Sequence, residues 1–121
     1  MTIKEVAEKF DMTNDTLRYY EKVGLVGPVK KNSSGIRDYS EEDLKRIEFI
    51  KCMRSAGIST EVLKKYVDLY DEGESTKLER QQLLEEEQKK LEEKIKTMTD
   101  ALAKLKYKIE LYKTDKLDEY L

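Results

Sequence analysis

Apolar residues recur at the spacing of a helix face from the start of the chain. The earliest stripe has members at i, i+3, i+4 and i+7, which is the pattern of a short helix with one buried face. Its members are Ile3, Val6, Ala7 and Phe10. Thr2 and Glu5 occupy the two positions of a capping box, so the helix is predicted to begin directly after Thr2.

A second short helix is predicted to begin after Thr13, which has the side chain of an N-cap, and to end before Gly24. Leu17 and Tyr20 are expected to face inward. The other prominent side chains are left to point away from that face: Asn14, Thr16, Arg18 and Tyr19. Two short amphipathic helices joined by a turn have the form of a helix-turn-helix, although this pattern alone has low specificity.

The segment that follows Gly24 predicts a small basic hairpin. Residues 32–35, Asn-Ser-Ser-Gly, form a turn cluster between two short runs at 29–31 and 36–39. From residue 22 to residue 37 there are four basic residues and no acid: Lys22, Lys30, Lys31 and Arg37. A local patch of this kind can bind phosphate even on a domain that is nearly neutral.

Two further helices are predicted, one from Ser40 to Gly57 and one from Ser59 to Gly73. Each serine is a favoured N-cap residue, and each glycine is a favoured helix terminator. The later helix carries an apolar stripe that we expect to be buried: Val62, Leu63, Tyr66, Val67 and Tyr70.

One long helix is predicted from Thr76, which forms a second capping box with Glu79, to about Lys113. Its apolar positions alternate four and three residues apart, which is the a/d repeat of a coiled coil. These positions are Leu84, Leu91, Ile95, Met98, Leu102, Leu105, Ile109 and Tyr112, with Gln88 as a polar member. A helix of about 57 Å is too long for a small domain to cover. We therefore expect a homodimer paired through this helix. Parallel and antiparallel pairing both remain open, and packing on its own N-terminal domain is the less favoured alternative.

Composition removes several functional classes. Charged residues make up 41% of the chain and the net charge is −2, so total charge does not indicate a nucleic-acid-binding protein. Histidine, the commonest general base and metal ligand, is absent, and the chain has no paired nucleophile and base and no glycine-rich phosphate loop. We expect no enzymatic activity, no cofactor and no metal site.

The sequence also favours a cytoplasmic protein. It has a single cysteine, and it lacks a signal peptide and an apolar run long enough to span a membrane.

The run T-L-R-Y-Y-E-K-V-G-L at residues 16–25, together with G-I-R-D-Y-S at 35–40, resembles the MerR family of transcription regulators. The resemblance implies a mainly α fold. A winged helix-turn-helix domain that includes a helix pair would occupy residues 1–71. A dimerisation helix at 76–113 would form an antiparallel coiled coil with its copy, and residues 114–121 would be a short tail. It also implies a homodimer that binds a pseudo-palindrome in double-stranded promoter DNA, distorts it and so acts indirectly on RNA polymerase.

The same resemblance assigns roles to particular residues. The first candidates for contacts to the DNA backbone and grooves are Arg18, Tyr19, Arg37 and Tyr39. Further candidates at the mouth of the major groove are Thr13, Asn14 and Thr16, and the weaker candidates are Lys4 and Lys30. The rival interpretation is a coiled-coil adaptor that binds another protein, which agrees with the net negative charge but gives no role to a recognition helix followed by a basic hairpin.

Cys52 has two interpretations. Its position resembles that of the single cysteine in small, thiol-dependent MerR-like regulators, which implies a stress response to reactive aldehydes or related electrophiles. Alternatively, Phe49, Cys52 and Ala56 have core-like helical spacing, and free cysteine is among the most buried residue types. Glu48, at position i−4, would oppose ionisation of the thiol, so any activating positive group must come from another helix or subunit.

Overall fold

The computed structural model describes residues 1–116, which contain five α-helices. These are α1 (Ile3–Phe10), α2 (Asn14–Lys22), α3 (Glu41–Ser55), α4 (Thr60–Glu72) and α5 (Lys77–Lys113), with a 3₁₀ turn at Glu74–Thr76. Residues Met1–Gln81 form one compact unit, and the chain from Gln82 onward forms a second. The boundary falls in the first part of α5, so the DNA-binding elements predicted from sequence all lie in the first unit.

The first four helices begin where their N-caps predict. Thr2 accepts from the Glu5 amide at 3.2 Å, and the Glu5 carboxylate accepts from the Thr2 amide at 2.9 Å, which confirms the predicted capping box. These hydrogen bonds hold the pKa of Glu5 below its ordinary value. Ser40 forms a capping box with Asp43 at the start of α3, whereas Thr13 and Ser59 cap α2 and α4 through their side-chain oxygens alone. Side-chain capping is a local interaction, which explains why sequence alone locates these helix starts.

The core of the first unit is built from α1 to α4 and the segments between them. Its buried apolar members are Val6, Leu17, Tyr20, Leu25, Val26, Val29, Tyr39, Ile47, Ile50, Ile58 and Leu63. The inward positions predicted for Leu17 and Tyr20 are confirmed. Lys51 of α3 also donates to the carbonyl oxygen of Phe10, which links α3 to the end of α1.

The predicted hairpin forms, but only as a tight turn with little strand pairing. Lys31 and Arg37 make a single antiparallel bridge, which is flanked by hydrogen bonds from Asn32 N to Ile36 O at 2.8 Å and from Asp38 N to Lys30 O at 2.7 Å. The Asn32 side chain also accepts from two backbone amides of the turn. We call residues 29–39 the wing.

Tyr70 is not part of the buried stripe of α4, contrary to the prediction. Its side chain is 47% exposed. The ring lies 5.4 Å from the guanidinium of Arg46 and 5.2 Å from that of Arg80, and Arg46 also pairs with Asp71 at 3.0 Å. In the last turn of α4 the ring therefore contacts two cations at the surface, where cation–π attraction replaces burial in the core.

The capping box predicted for Thr76 and Glu79 is also wrong. The Thr76 hydroxyl donates to the carbonyl oxygens of Leu69 and Gly73, at 2.5 and 2.9 Å, and accepts from Arg80 Nε at 3.1 Å. Only 4% of Thr76 is exposed. This hydroxyl therefore satisfies carbonyls at the end of α4, and α5 begins after a 3₁₀ turn.

The prediction of one long helix is confirmed by α5, which is 37 residues long. Its heptad positions are largely exposed: Leu84 37%, Ile95 55%, Met98 70%, Leu102 50%, Leu105 62%, Ile109 52% and Tyr112 63%, with Leu91 partly exposed. An apolar stripe of this length on one helix is typical of a surface that another helix covers. Residues 117–121 of the predicted tail lie outside the described residues. Across residues 1–116, no helix combines the length and apolar character that membrane crossing requires.

Candidate nucleic-acid interface

A tight turn joins α1 to α2 and fixes the start of the second helix. Asp11 adopts the left-handed conformation with φ 52°, and the Met12 amide returns to the carbonyl oxygen of Ala7 at 2.9 Å. Thr13 then caps α2, since its hydroxyl accepts from the Thr16 amide at 3.1 Å. The arrangement is the helix-turn-helix that the sequence predicted.

The paired tyrosines of α2 face different environments. Tyr20 is in the core with 7% exposure, whereas Tyr19 is 48% exposed, and their rings are 6.3 Å apart. Arg18 is exposed beside Tyr19, with half of its side chain accessible, and it pairs with Asp15 at 3.2 Å. This split gives α2 one apolar face and one face suited to phosphate and base contacts.

The predicted residues at the start of α2 are accessible but partly engaged. The hydroxyls of Thr13 and Thr16 are 2.8 Å apart, in addition to the capping bond between these two residues. Asn14 is half-buried. Thr13 and Thr16 therefore shape the N-terminus of α2, and their remaining hydrogen-bonding capacity is what a DNA partner could use.

Arg37 connects the wing to α2. Its Nε donates to Glu21 Oε1 at 2.9 Å, and the two side chains are 33% and 21% exposed. Lys30 and Lys31 of the wing are exposed, as is Lys4 of α1. The structure thus brings the basic wing beside α2 through a direct ion pair.

Tyr39 is buried, contrary to the prediction that it contacts DNA. The residue is 3% exposed, and its hydroxyl is buried without a hydrogen-bond partner among the described residues. Burial raises the pKa of the phenol, and the nearby carboxylate of Glu21 raises it further. The Tyr39 amide donates to the carbonyl oxygen of Met1 at 2.7 Å, so this residue anchors the wing to the start of the chain.

Two cations that sequence reasoning missed lie near α2. The Lys64 side chain covers Gly24, whose φ is +80°, so closely that a Cβ there would lie 2.8 Å from Lys64 Nζ. Arg54 donates to the carbonyl oxygen of Ile58 at 2.7 Å, and its charge acts on the buried Tyr20 phenol. Sequence spacing does not reveal that Lys64 and Arg54 lie near α2. The two residues come close to α2 only because α3 and α4 pack there in the folded protein.

Cys52 is exposed on α3, so the structure does not support the buried-core interpretation. Phe49 instead packs against Tyr66, with ring centroids 5.4 Å apart. Within residues 1–116, no three cysteine, aspartate or glutamate side chains are grouped as metal ligands. Any chemistry of Cys52 therefore involves a solvent-accessible thiol.

Two models of known protein families match overlapping parts of the chain. Residues 1–70 match the MerR HTH family of regulatory proteins, and residues 44–107 match the family described as MerR, DNA binding. The HTH-type transcriptional regulator AdhR of Bacillus subtilis (strain 168) is 55% identical over 91 residues, which are 75% of this chain and 65% of that protein. The matched part therefore spans slightly less than two thirds of that relative's length.

Two solved structures are similar over nearly the whole chain. A Listeria monocytogenes protein assigned to the MerR family has a TM-score of 0.90 and 43% identity, covering 94% of this chain and 86% of that one. HiNmlR, a MerR family regulator lacking the sensor domain and bound to promoter DNA, has a TM-score of 0.85 and 30% identity, with coverages of 95% and 91%. These similarities extend from the helix-turn-helix into the long helix.

Proposed function

Because the chain belongs to the MerR family of helix-turn-helix regulatory proteins, we propose that it is a transcriptional regulator that binds promoter DNA as a homodimer. One observation carries this proposal. The exposed Arg18 and Tyr19 of α2 and the basic wing lie in one unit, where the pair of Arg37 and Glu21 joins wing to helix. The fold also resembles HiNmlR, which was solved on promoter DNA.

The proposed contacts to DNA phosphates are of two chemical kinds, from arginine and from lysine. Arg18 and Arg37 carry guanidinium groups that can pair with phosphate through two parallel hydrogen bonds. Lys4, Lys30 and Lys64 would add point charges along the duplex. Contacts of this kind fix the position of a protein on DNA and support distortion of the site more than they read its sequence. Activation would then follow from a change in promoter shape, with RNA polymerase affected indirectly.

The partner for α5 in this proposal is a second copy of the same helix. The charges that flank its apolar stripe favour antiparallel pairing. A parallel pair would bring Glu87 close to Glu92 of the partner subunit, whereas an antiparallel pair with Ile95 opposite the partner's Met98 brings Glu85 close to the partner's Lys106. Like charges repel and opposite charges attract at these flanking positions, so the antiparallel arrangement is the more stable one.

We also propose Cys52 as the sensing residue, with reactive aldehydes or related electrophiles as effectors. Its exposure supports this role, since an electrophile must reach the thiol. The resemblance to small single-cysteine regulators gives the chemical class of the effector. Activation of the thiol would have to come from a group that the second subunit or bound DNA supplies.

Selection of bound fragments from genomic DNA, followed by footprinting, tests the regulatory function. We expect a symmetric protected site within a promoter, and an affinity for that site that falls steeply with salt concentration. Weak binding without sequence preference, combined with stable capture of a partner protein, would instead favour the adaptor interpretation. The pseudo-palindromic footprint is the decisive result, because a dimer with two identical DNA-binding units must protect two related half-sites.

A further inference from the structure

Glu21 is a partly buried acid beside the basic residues that are proposed to bind phosphate. Its carboxylate lies near the end of α2 and accepts from Arg37 Nε at 2.9 Å, across 16 residues of sequence. An acid beside a phosphate site repels the ligand, and the partly buried Glu21 differs from the fully exposed Asp15 in binding an arginine of the wing. The side chains of Glu21 and Arg37 are 21% and 33% exposed, which keeps the pair more sheltered from solvent than the pair of Arg18 and Asp15.

Arg37 lies on a segment that is held both through its side chain and through the backbone of the wing. The ring of Tyr39 is buried, and the charges of Glu21, Arg37, Arg18 and Asp43 all act on its hydroxyl. The hydrogen bond between Arg37 and Glu21 therefore joins the wing to α2 near the buried ring of Tyr39. Asp38 N bonds to Lys30 O at the base of the wing, so the backbone that carries Arg37 is held there as well.

The hydrogen bond to Glu21 engages only one edge of the guanidinium. Arginine has five N–H donors in a planar fork, and Nε uses one of them. The two terminal nitrogens carry the other four donors, which suit a phosphate that binds end-on through two parallel hydrogen bonds. A guanidinium fixed at Nε therefore presents its remaining donors in a defined direction.

From this geometry we propose that Glu21 is a positioning residue for DNA binding: it orients Arg37 and joins the wing to α2, so that both bind one phosphate backbone as a unit. This inference rests on the proposed DNA-binding function. Glu21 itself contacts no DNA in this proposal. Its contribution is that Arg37 loses little side-chain freedom on binding, because that freedom is already restricted in the free protein.

The positioning role predicts an effect opposite in sign to simple electrostatics. Removing an acid from a phosphate-binding surface should strengthen binding to any DNA. We expect Glu21→Ala to weaken operator binding by about 3- to 10-fold, because Arg37 becomes free to adopt other rotamers. Glu21→Gln keeps an oxygen that accepts from Nε and loses the charge, so it should bind at least as tightly as the wild type.

The experiment measures operator affinity by fluorescence anisotropy for four proteins: wild type, Glu21→Ala, Arg37→Ala and the double variant. In the Arg37→Ala background, Glu21→Ala should no longer weaken binding. Glu8→Ala, which removes an exposed acid from α1, is the matched control and should not weaken binding. Thermal unfolding of each protein at one concentration establishes that it is folded, and Glu21→Gln supplies the test if Glu21→Ala is not.

The outcomes separate this proposal from the regulatory function. Loss of affinity on Glu21→Ala that disappears without Arg37, together with full affinity of Glu21→Gln, supports positioning. Equal weakening in both backgrounds, no weakening at all, or weakening by Glu21→Gln overturns it while operator binding by the wild type stands. A wild-type protein that binds no selected fragment specifically refutes the regulatory function itself.

Discussion

The guanidinium of Arg18 donates to the carboxylate of Asp15 at 3.2 Å, one turn earlier on α2. The Asp15 side chain is 95% exposed and that of Arg18 is 50% exposed, so water screens their attraction strongly. Exposed pairs at this spacing contribute only about 0.2–0.5 kcal/mol to a helix. A DNA phosphate can therefore replace Asp15 as the partner of Arg18 at little cost, which distinguishes this arginine from the better sheltered Arg37.

Replacement of Arg18 by alanine should lower operator affinity by about 10- to 100-fold, since hydrogen bonds to charged groups are worth about 1.5–3 kcal/mol. Asp15→Asn should raise affinity by up to roughly twofold, because it removes a competing interaction of about 0.2–0.5 kcal/mol. Fluorescence anisotropy at several salt concentrations measures both effects, and the salt slope of Arg18→Ala should be shallower. Lys89→Ala removes an exposed positive charge from α5 and is the control expected to keep affinity. Unchanged operator binding by a folded Arg18→Ala dimer would contradict the assignment.

Sequence predicted the local features of this fold well, because their causes are local. Thr2, Thr13, Ser40 and Ser59 bond to amides a few residues later, so each helix start can be read from a short window. The long helix could be predicted equally well, since its heptad repeat and its lack of glycine and proline are visible in the sequence itself.

The errors fall where distant elements decide the outcome. Tyr70 continues the apolar period of α4, yet Arg46 of α3 and Arg80 of α5 draw its ring to the surface. Likewise Tyr39 matches a family motif, but its ring completes a core that α1 to α4 build together. Glu21 was not singled out, because its role becomes visible only when the wing folds back onto α2.

The buried hydroxyl of Tyr39 gives a test of its corrected role. Tyr39→Phe removes a buried polar atom that has no partner among residues 1–116, so stability at neutral pH should stay equal or rise by up to about 1 kcal/mol. Operator affinity should stay within about twofold of the wild type. Chemical denaturation at fixed protein concentration and anisotropy measure the two quantities. A large loss of operator binding would show that the hydroxyl contacts DNA, as the family resemblance implied.

The same residue predicts a pH dependence. Burial raises the pKa of Tyr39 above its ordinary value of 10.0, so the folded protein keeps this proton at pH values where the unfolded chain has lost it. The protonated phenol makes its full contribution to the free energy of unfolding below pH 10.0. That contribution decreases as the pH rises through the pKa of Tyr39 in the folded protein. Tyr39→Phe should therefore lose less stability between neutral and strongly alkaline pH. Denaturation midpoints measured across that pH range test this prediction. Identical declines in the wild type and in Tyr39→Phe would contradict burial of the phenol.

Exposure of Cys52 predicts a thiol that small reagents can reach in the native protein. An aromatic disulfide reagent should modify one thiol per chain without denaturant. If the residue is a sensor, formaldehyde or methylglyoxal should alter transcription from the operator in the wild type but not in Cys52→Ser. The double variant Cys52→Ser with Ser55→Cys moves the thiol along the same helix and should remain unresponsive. Equal responses from wild type and Cys52→Ser would remove Cys52 from the sensing mechanism.

The orientation of the α5 pair can be tested by exchanging charges. With Ile95 opposite the partner's Met98, Glu85→Lys creates repulsion from the partner's Lys106, and Lys106→Glu creates repulsion from the partner's Glu85. Each variant alone should form a weaker homodimer, by about 1 kcal/mol or roughly fivefold in Kd.

A mixture of the two variants tests the same pairing. Each heterodimer has opposite charges at both ends, so heterodimers should make up more than half of all dimers, which is the fraction that random pairing gives. Native mass spectrometry measures that fraction when one variant carries a tag, and a tagged wild type mixed with untagged wild type provides the statistical reference. Parallel helices never bring residues 85 and 106 together, so a statistical mixture of the two variants would refute antiparallel pairing in this register.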